Sequence, residues 1–98
     1  MTRRTWIRPE AAAEIQAAFR WYENQRSGLG SEFERALDAA IQSVRRDPER
    51  NAYVHKPIRR ALLRRFPYGL FYIEEPGSLT ILACFHTRRD PARWPTTE

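Results

Sequence analysis

The sequence predicts an α+β fold in which an N-terminal β-strand and an α-helical hairpin precede a three-stranded antiparallel meander, with the helices packed on one face of the sheet. Three observations predict this fold. Apolar residues in the first half recur with a helical period, those in the second half form short extended runs, and glycine or proline separates the segments. A chain of 98 residues, 42% of them apolar, suits one domain, which we expect to span residues 1–98.

The first two elements are a strand and a helix. Residues 4–8 have a β-branched and aromatic centre, which is typical of a strand, and the proline that follows suits the first turn of a helix. A helix is predicted over Pro9–Gln25, because apolar residues three and four apart share one helical face. That face carries Ala11, Ile15, Ala18 and Tyr22. Gly28 and Gly30 then interrupt the helical pattern.

A second helix is predicted over Leu29–Arg46. Its apolar face carries Leu29, Phe33, Leu37, Ile41 and Val44. Arg45 and Arg46 fall in the last turn, where the helix dipole favours positive charge, and Asp47-Pro48 ends the helix. Because the link between the two helices is so short, they must form an antiparallel hairpin.

The remainder of the chain reads as a loop followed by the meander. Two prolines make residues 48–57 a predicted loop. The predicted strands are residues 58–66, a second strand that begins at Tyr68 or Leu70 and ends at Glu74, and residues 79–86. The turns between them are short enough for antiparallel neighbours, and the last strand is apolar enough to be covered on both faces. Strict alternation puts Leu82 and Cys84 opposite Ile81, Ala83 and Phe85. The sequence leaves open which sheet edge the first strand joins.

Composition limits the environment and the partners. The 17 Lys and Arg residues outnumber the 12 acidic residues, giving a net charge of +5, which favours nucleic acid or an acidic protein surface as partner. The single cysteine, Cys84, cannot form an internal disulfide, so a cytoplasmic location is expected. No apolar run has the length of a membrane span or of a signal-peptide core, so no membrane partner is expected.

Basic residues concentrate in the first strand of the meander, where acidic residues are absent. Between Asn51 and Ile73 the basic residues are Lys56, Arg59, Arg60, Arg64 and Arg65. Alternation places Arg60 and Arg64 on one face of the strand, with Arg59 and Arg65 on the other. The last strand ends in His86, Arg88 and Arg89, and the two groups could converge at one side of the sheet. Such a surface would bind phosphate or an acidic partner, whereas the alternative is that these charges only protect a sheet edge from aggregation.

Candidates for catalysis are few. His86 could contact a phosphate or exchange protons near neutral pH, although a histidine at a strand end is more often a structural hydrogen-bonding group. Cys84 is expected to fill the core rather than act as a nucleophile. The sequence has no metal-ligand spacing, no glycine-rich phosphate loop and no Ser/His/Asp set, so neither a metal nor a cofactor is predicted.

An ordered series of short motifs resembles the RelE/ParE toxin superfamily, and most closely its ParE-like branch, whose members are often called plasmid stabilisation proteins. The motifs are Trp21-Tyr22-Glu23, Gly28-Leu29-Gly30 with Phe33, Arg59-Arg60, Arg65-Phe66-Pro67-Tyr68, Tyr72, His86-Thr87-Arg88-Arg89-Asp90-Pro91 and Trp94. The resemblance implies the growth-inhibiting toxin of a type II toxin–antitoxin pair, with the fold predicted above. It also implies neutralisation by a small acidic antitoxin that folds as it wraps the toxin.

Two activities divide the superfamily that the chain resembles. The ParE-like branch inhibits DNA gyrase, and the RelE-like branch cuts messenger RNA on the ribosome. The set that would contact the target is Arg59, Arg60, Arg64, Arg65, His86, Arg88, Arg89 and Trp94. A nuclease would use Arg65, His86 and Arg88. Gly69 stands where nucleases of the superfamily tend to have an arginine, and Trp94 stands near their C-terminal tyrosine, so gyrase inhibition is favoured.

Overall fold

The computed structural model describes residues 4–89 and gives two helices and five strands in this range. The elements are β1 Arg4–Ile7, α1 Pro9–Gln25, α2 Leu29–Arg46, a 3₁₀ turn Pro48–Arg50, β2 Tyr53–His55, β3 Ile58–Leu62, β4 Tyr68–Glu75 and β5 Ser78–His86. Both helices have the predicted bounds. Neither helix in this range combines the length and apolar character needed to cross a membrane.

The strands form one sheet in the order β1-β5-β4-β3-β2. β1 lies parallel to β5, with Thr5 opposite Leu79, so the first strand joins the sheet beside the last one. The other neighbours are antiparallel, which confirms the predicted meander of β3, β4 and β5. The helical hairpin and strands β2 to β4 lie between β1 and β5 in the chain, so the connection has the length that a parallel strand pair requires.

The predicted loop over residues 48–57 contains a short strand, so this part of the prediction was wrong. β2 has only three residues, and it turns back on β3 so that His55 pairs with Ile58 and Tyr53 with Arg59. Three residues carry too little alternation to reveal a strand. β3 is also shorter than predicted, because it ends at Leu62 and the chain then bends.

The main core lies between the helical hairpin and one face of the sheet. Its centre is an aromatic cluster in which Tyr22 and Phe33 of the helices meet Phe66 and Tyr68, with ring centroids 4.9–5.9 Å apart. Phe33 is fully buried, and burial of a side chain of this size contributes about 1.5–3 kcal/mol. The helices therefore cover one face of the sheet, as predicted.

A β-bulge changes which residues of β5 share a face. Phe71 pairs with Ala83 while Tyr72 pairs with Ile81, so Leu82 is an extra residue between the two pairs. Leu82 consequently lies with Ala83 and Phe85 in a second apolar cluster, whereas Ile81 and Cys84 belong to the core beneath the helices. The predicted alternation therefore fails between Leu82 and Ala83, which share a face, whereas Cys84 still lies opposite Ala83 and Phe85. Both faces are apolar, as predicted.

Glu23 stabilises the turn between the helices. One carboxylate oxygen accepts the N–H of Gly28 and the other accepts the N–H of Gly30, both at 3.0 Å. Gly28 has a φ of 91°, a left-handed conformation that glycine adopts at little cost. Two backbone donors at the start of α2 are therefore satisfied by a side chain of α1.

Candidate interaction surface

The end of the sheet brings two of the predicted segments together. Tyr68 pairs with His86, and the N–H of Thr87 donates to the carbonyl of Pro67 at 2.8 Å. The bend before β4 and the residues after β5 therefore lie side by side. We call this region, residues 65–68 and 86–89, the sheet end.

Arg65 is paired with an acidic residue at the sheet end. Its guanidinium lies 2.9 Å from a carboxylate oxygen of Glu32, and Arg26 lies 3.2 Å from the other oxygen. The hydrogen bond from Arg65 is the main reason that the pKa of Glu32 is lowered, and the charges of both arginines add to it. Arg65 has a φ of 69°, in the left-handed region. Its charge is thus partly compensated by α2.

His86 and Arg88 are close neighbours at the same end. The Nδ1 atom of His86 accepts the backbone N–H of Arg88 at 3.0 Å, and the imidazole packs edge-on against Tyr68. The side chain of Arg88 is exposed and has no ion pair within residues 4–89. Arg88 is therefore the cation at the sheet end that is most available to another molecule.

Arg89 has a structural contact instead. Its guanidinium lies 2.9 Å from Glu14 of α1 and 4.2 Å from the ring centroid of Phe85. Glu14 also accepts the backbone N–H of Cys84 at 3.0 Å. Glu14 therefore satisfies a donor on the edge of β5 beyond the point where β1 stops, and Arg89 balances its charge.

Arg59 and Arg60 lie on opposite faces of β3, as predicted. Arg59 is on the helix side, where it donates to the carbonyl of Asn51 at 2.6 Å and lies 3.9 Å from the ring centroid of Tyr53. Arg60 is on the other side, and its stem crosses Gly69, where an added Cβ would lie 3.0 Å from the Cδ of Arg60. Arg59 thus secures the segment before β2, away from the sheet end.

Arg64 does not lie on the strand face that alternation predicted for it. Because β3 ends at Leu62, Arg64 belongs to the bend and lines a hollow between α2 and β3. The predicted arginines therefore do not form one surface: Arg65, Arg88 and Arg89 flank the sheet end, and the others divide between the two faces of β3 and this hollow. Trp94, Asp90 and Pro91 lie outside the described residues.

The hollow also contains two arginines, Arg46 and Arg50, that are absent from the predicted target-binding set. Its volume is about 450 Å³. It is lined by Ala36, Ala39, Ala40, Ser43, Arg46, Arg50, Asn51, Ala61, Leu62 and Arg64. Arg46 lies in the last turn of α2, and Arg50 lies in the segment predicted as a loop. Only the fold shows that these two arginines and Arg64 share one hollow.

Burial determines the protonation of the buried thiol and phenols. It raises the pKa of Cys84 to about 12 and also raises the pKa values of Tyr22, Tyr68 and Tyr72. The hydroxyl of Tyr72 donates to the carbonyl of Pro48 at 2.8 Å. At neutral pH these groups are therefore protonated and cannot act as nucleophile or base. Within residues 4–89, no three His, Cys, Asp or Glu side chains cluster as metal ligands would.

One comparison with known proteins identifies a family, and a second shows a shared fold. The profile of the ParE toxin of the parDE type II toxin–antitoxin system matches residues 7–91. A solved structure of a chromosomal ParDE toxin–antitoxin system from P. aeruginosa superposes with a TM-score of 0.74 at 13% sequence identity, covering 87% of this chain and 96% of the other. At that identity the superposition shows a shared fold. A comparison with curated proteins gives no significant match.

Proposed function

Because the chain belongs to the ParE toxin family of type II toxin–antitoxin systems, we propose that it inhibits growth by binding DNA gyrase and that a small acidic antitoxin neutralises it. The observation that carries the proposal is the match to the ParE toxin profile over residues 7–91. The family resemblance supplies the target, since gyrase inhibition is the activity of the ParE-like branch.

Contacts at the sheet end support protein binding over RNA cleavage. Of the three residues that a nuclease would use, Arg65 is held by Glu32, and the Nδ1 of His86 is occupied by a backbone N–H. At position 69, the aliphatic part of the Arg60 side chain occupies the space that the Cβ of a larger residue would need. The phenols of Tyr68 and Tyr72 are protonated at neutral pH, so they offer no general base.

Arg88 is the residue of the sheet end that we expect to contact gyrase. Its guanidinium is exposed and uncompensated within residues 4–89, so it can pair with a carboxylate of the target. The hydrogen bond between its backbone and His86 fixes the start of the turn that carries it. Truncating a charged contact at an interface costs about 2–5 kcal/mol when the pair is buried in the complex.

A supercoiling assay tests this proposal. The purified chain is titrated into gyrase with relaxed plasmid and ATP, and we expect supercoiling to stop. Arg88→Ala should raise the inhibitory concentration by at least about tenfold. Arg35→Ala removes an exposed arginine of α2 outside the sheet end, so it should inhibit like the wild type.

Two results would contradict the proposal. One is normal supercoiling at a large excess of the chain. The other is cleavage of translated messenger RNA that Arg88→Ala abolishes, which would favour the ribonuclease activity instead. Circular dichroism of each variant confirms that the fold is retained.

A further inference from the structure

Trp21 of α1 is an exposed tryptophan that the proposed gyrase contact does not use. Its side chain is 56% exposed. Within residues 4–89, the other exposed Trp, Tyr or Phe side chains are Trp6 and Tyr53, and each has a cation of the chain over its ring. No cation of this range lies over the ring of Trp21. The indole of Trp21 is therefore the exposed ring that is most available to another molecule.

Trp21 lies on the side of α1 that faces away from α2. It follows Glu14 by nearly two helical turns, so the two residues share one side of the helix. Glu14 accepts the backbone N–H of Cys84, which places this side of α1 along the edge of β5. α2 lies against the side of α1 that carries Phe19, whose ring closely approaches Gly30.

A series of aromatic contacts connects Trp21 with the sheet end. The ring centroid of Trp21 lies 5.1 Å from that of Tyr22, Tyr22 lies 5.9 Å from Tyr68, and Tyr68 lies 5.5 Å from His86. The rings of Trp21 and His86 are therefore at most about 17 Å apart, whereas a standard interface of about 800 Å² per partner is about 30 Å across. Since His86 accepts the backbone N–H of Arg88, one partner can cover Trp21 and Arg88 together.

The type and the packing of Trp21 suit it to an interface. Tryptophan and arginine are the residue types that most often supply the binding energy of a protein interface, usually near its centre. The ring of Trp21 packs edge-on against the buried ring of Tyr22, so its orientation is held before a partner arrives. A side chain that is ordered in advance loses less conformational entropy on binding.

We propose that Trp21 is an apolar anchor of the gyrase-binding surface, beside Arg88. The matching surface of gyrase combines an apolar pocket, which receives the indole, with a carboxylate, which pairs with Arg88. A protein is favoured over nucleic acid because Glu10 and Glu14 share the Trp21 side of α1, where negative charge repels phosphates. The inference rests on the proposed function, since it assigns a further contact to the same target.

The supercoiling assay and a binding titration with gyrase test the contribution of Trp21. Trp21→Ala should raise the inhibitory concentration and the dissociation constant by at least about tenfold, and Trp21→Phe should raise them less, because it keeps an aromatic ring. The matched control is Trp6→Ala. Trp6 is 55% exposed but lies on β1 opposite Thr80, at the other end of β5 from His86, so its loss should change both values by less than about twofold. Circular dichroism confirms that each variant is folded.

Salt separates the apolar contact from the charged one. Binding of the wild type should weaken as salt is added, because the ion pair that Arg88 makes with gyrase is screened. Trp21→Ala should keep this salt dependence at a lower affinity, whereas Arg88→Ala should bind with a smaller salt dependence.

Hydroxyl-radical footprinting with mass spectrometry tests the same contact in the wild-type chain, without any substitution. Gyrase should lower the oxidation of Trp21 and leave that of Trp6 unchanged. Relaxed plasmid without gyrase should protect neither tryptophan.

Three results would overturn the inference: equal inhibition by Trp21→Ala and Trp6→Ala, no protection of Trp21 by gyrase, or protection of Trp21 by plasmid alone. Each of these leaves gyrase inhibition standing when the wild type still stops supercoiling. If the wild type neither binds nor inhibits gyrase, the proposed function fails, and the assignment of Trp21 to that surface fails with it.

Discussion

Gly30 occupies the tightest position in the turn between the helices. A Cβ added there would lie 2.8 Å from the ring of Phe19 and 2.9 Å from the carboxylate of Glu23. We expect Gly30→Ala to reduce the free energy of unfolding by about 1–2 kcal/mol, since the steric cost exceeds the gain in helix propensity. Urea unfolding measures this change. Ser31→Ala, at the next and exposed position, is the control, and an equal effect of the two variants would contradict the steric explanation.

The position of the helix break was easier to predict from the sequence than the contacts of individual side chains. The glycines at 28 and 30 marked the break between helices, because few other residues interrupt a helical pattern in this way. The hydrogen bonds that Glu23 accepts from both backbone donors could not be predicted, because they depend on how the two helices pack. The same holds for Arg65, whose partner Glu32 is distant in sequence.

At the scale of elements, α1 and β5 are joined by Glu14. Glu14→Ala leaves the N–H of Cys84 without its acceptor, and a buried donor without a partner costs about 1–3 kcal/mol. We expect that loss of unfolding free energy, together with faster hydrogen exchange at the Cys84 amide. Glu14→Gln keeps an oxygen acceptor and should lose less. Equal losses in both variants would show that the Arg89 ion pair, and not the backbone contact, matters.

Elements in which the apolar spacing repeats many times were predicted accurately, and elements in which it repeats few times were not. Each helix repeats its apolar spacing over at least about three turns, so its bounds agree with the structure. β2 has three residues, and the bulge at Leu82 adds one residue to one strand only. Such features arise from pairing between strands, so they leave no periodic signal in the sequence of a single strand.

For the whole molecule, acid should weaken the attachment of the sheet end to α2. The pKa of Glu32 is below its ordinary value of 4.5 because Arg65 and Arg26 favour the carboxylate. The stabilisation is therefore complete above pH 4.5 and is lost as the pH falls through the lower, folded-state pKa. The melting temperature of the wild type should fall more steeply than that of Glu32→Gln between about pH 5 and pH 3.

A matched control is available for the acid experiment. Glu34 is exposed on the same helix and has no ion pair within residues 4–89, so Glu34→Gln should retain the slope of the wild type. If Glu32→Gln also retained that slope, the ion pairs of Glu32 would not contribute to stability. Since these pairs are exposed, added salt should reduce the difference between Glu32→Gln and the wild type.

For the candidate surface as a whole, the sequence showed where basic residues concentrate along the chain but not where their side chains lie in the fold. The acid-free basic stretch and the basic end of β5 were evident from composition alone. The directions of these basic side chains depend on where β3 ends and on which acidic side chains of the helices pair with them. Arg46 and Arg50 joined Arg64 only through folding, since local sequence gives no sign of that approach.

The pairing of β1 with β5 affects the order of events during synthesis. Arg4 is hydrogen-bonded to the carbonyl of Gly77, and its strand partner is Ser78, so β1 emerges from the ribosome long before the strand it joins. The sheet can be completed only after nearly the whole described chain has been made, and contacts this distant in sequence slow folding. A nascent chain therefore exposes an unpaired strand and an uncovered helical hairpin until translation is almost finished, and a ribosome stalled before β5 would hold an incomplete fold.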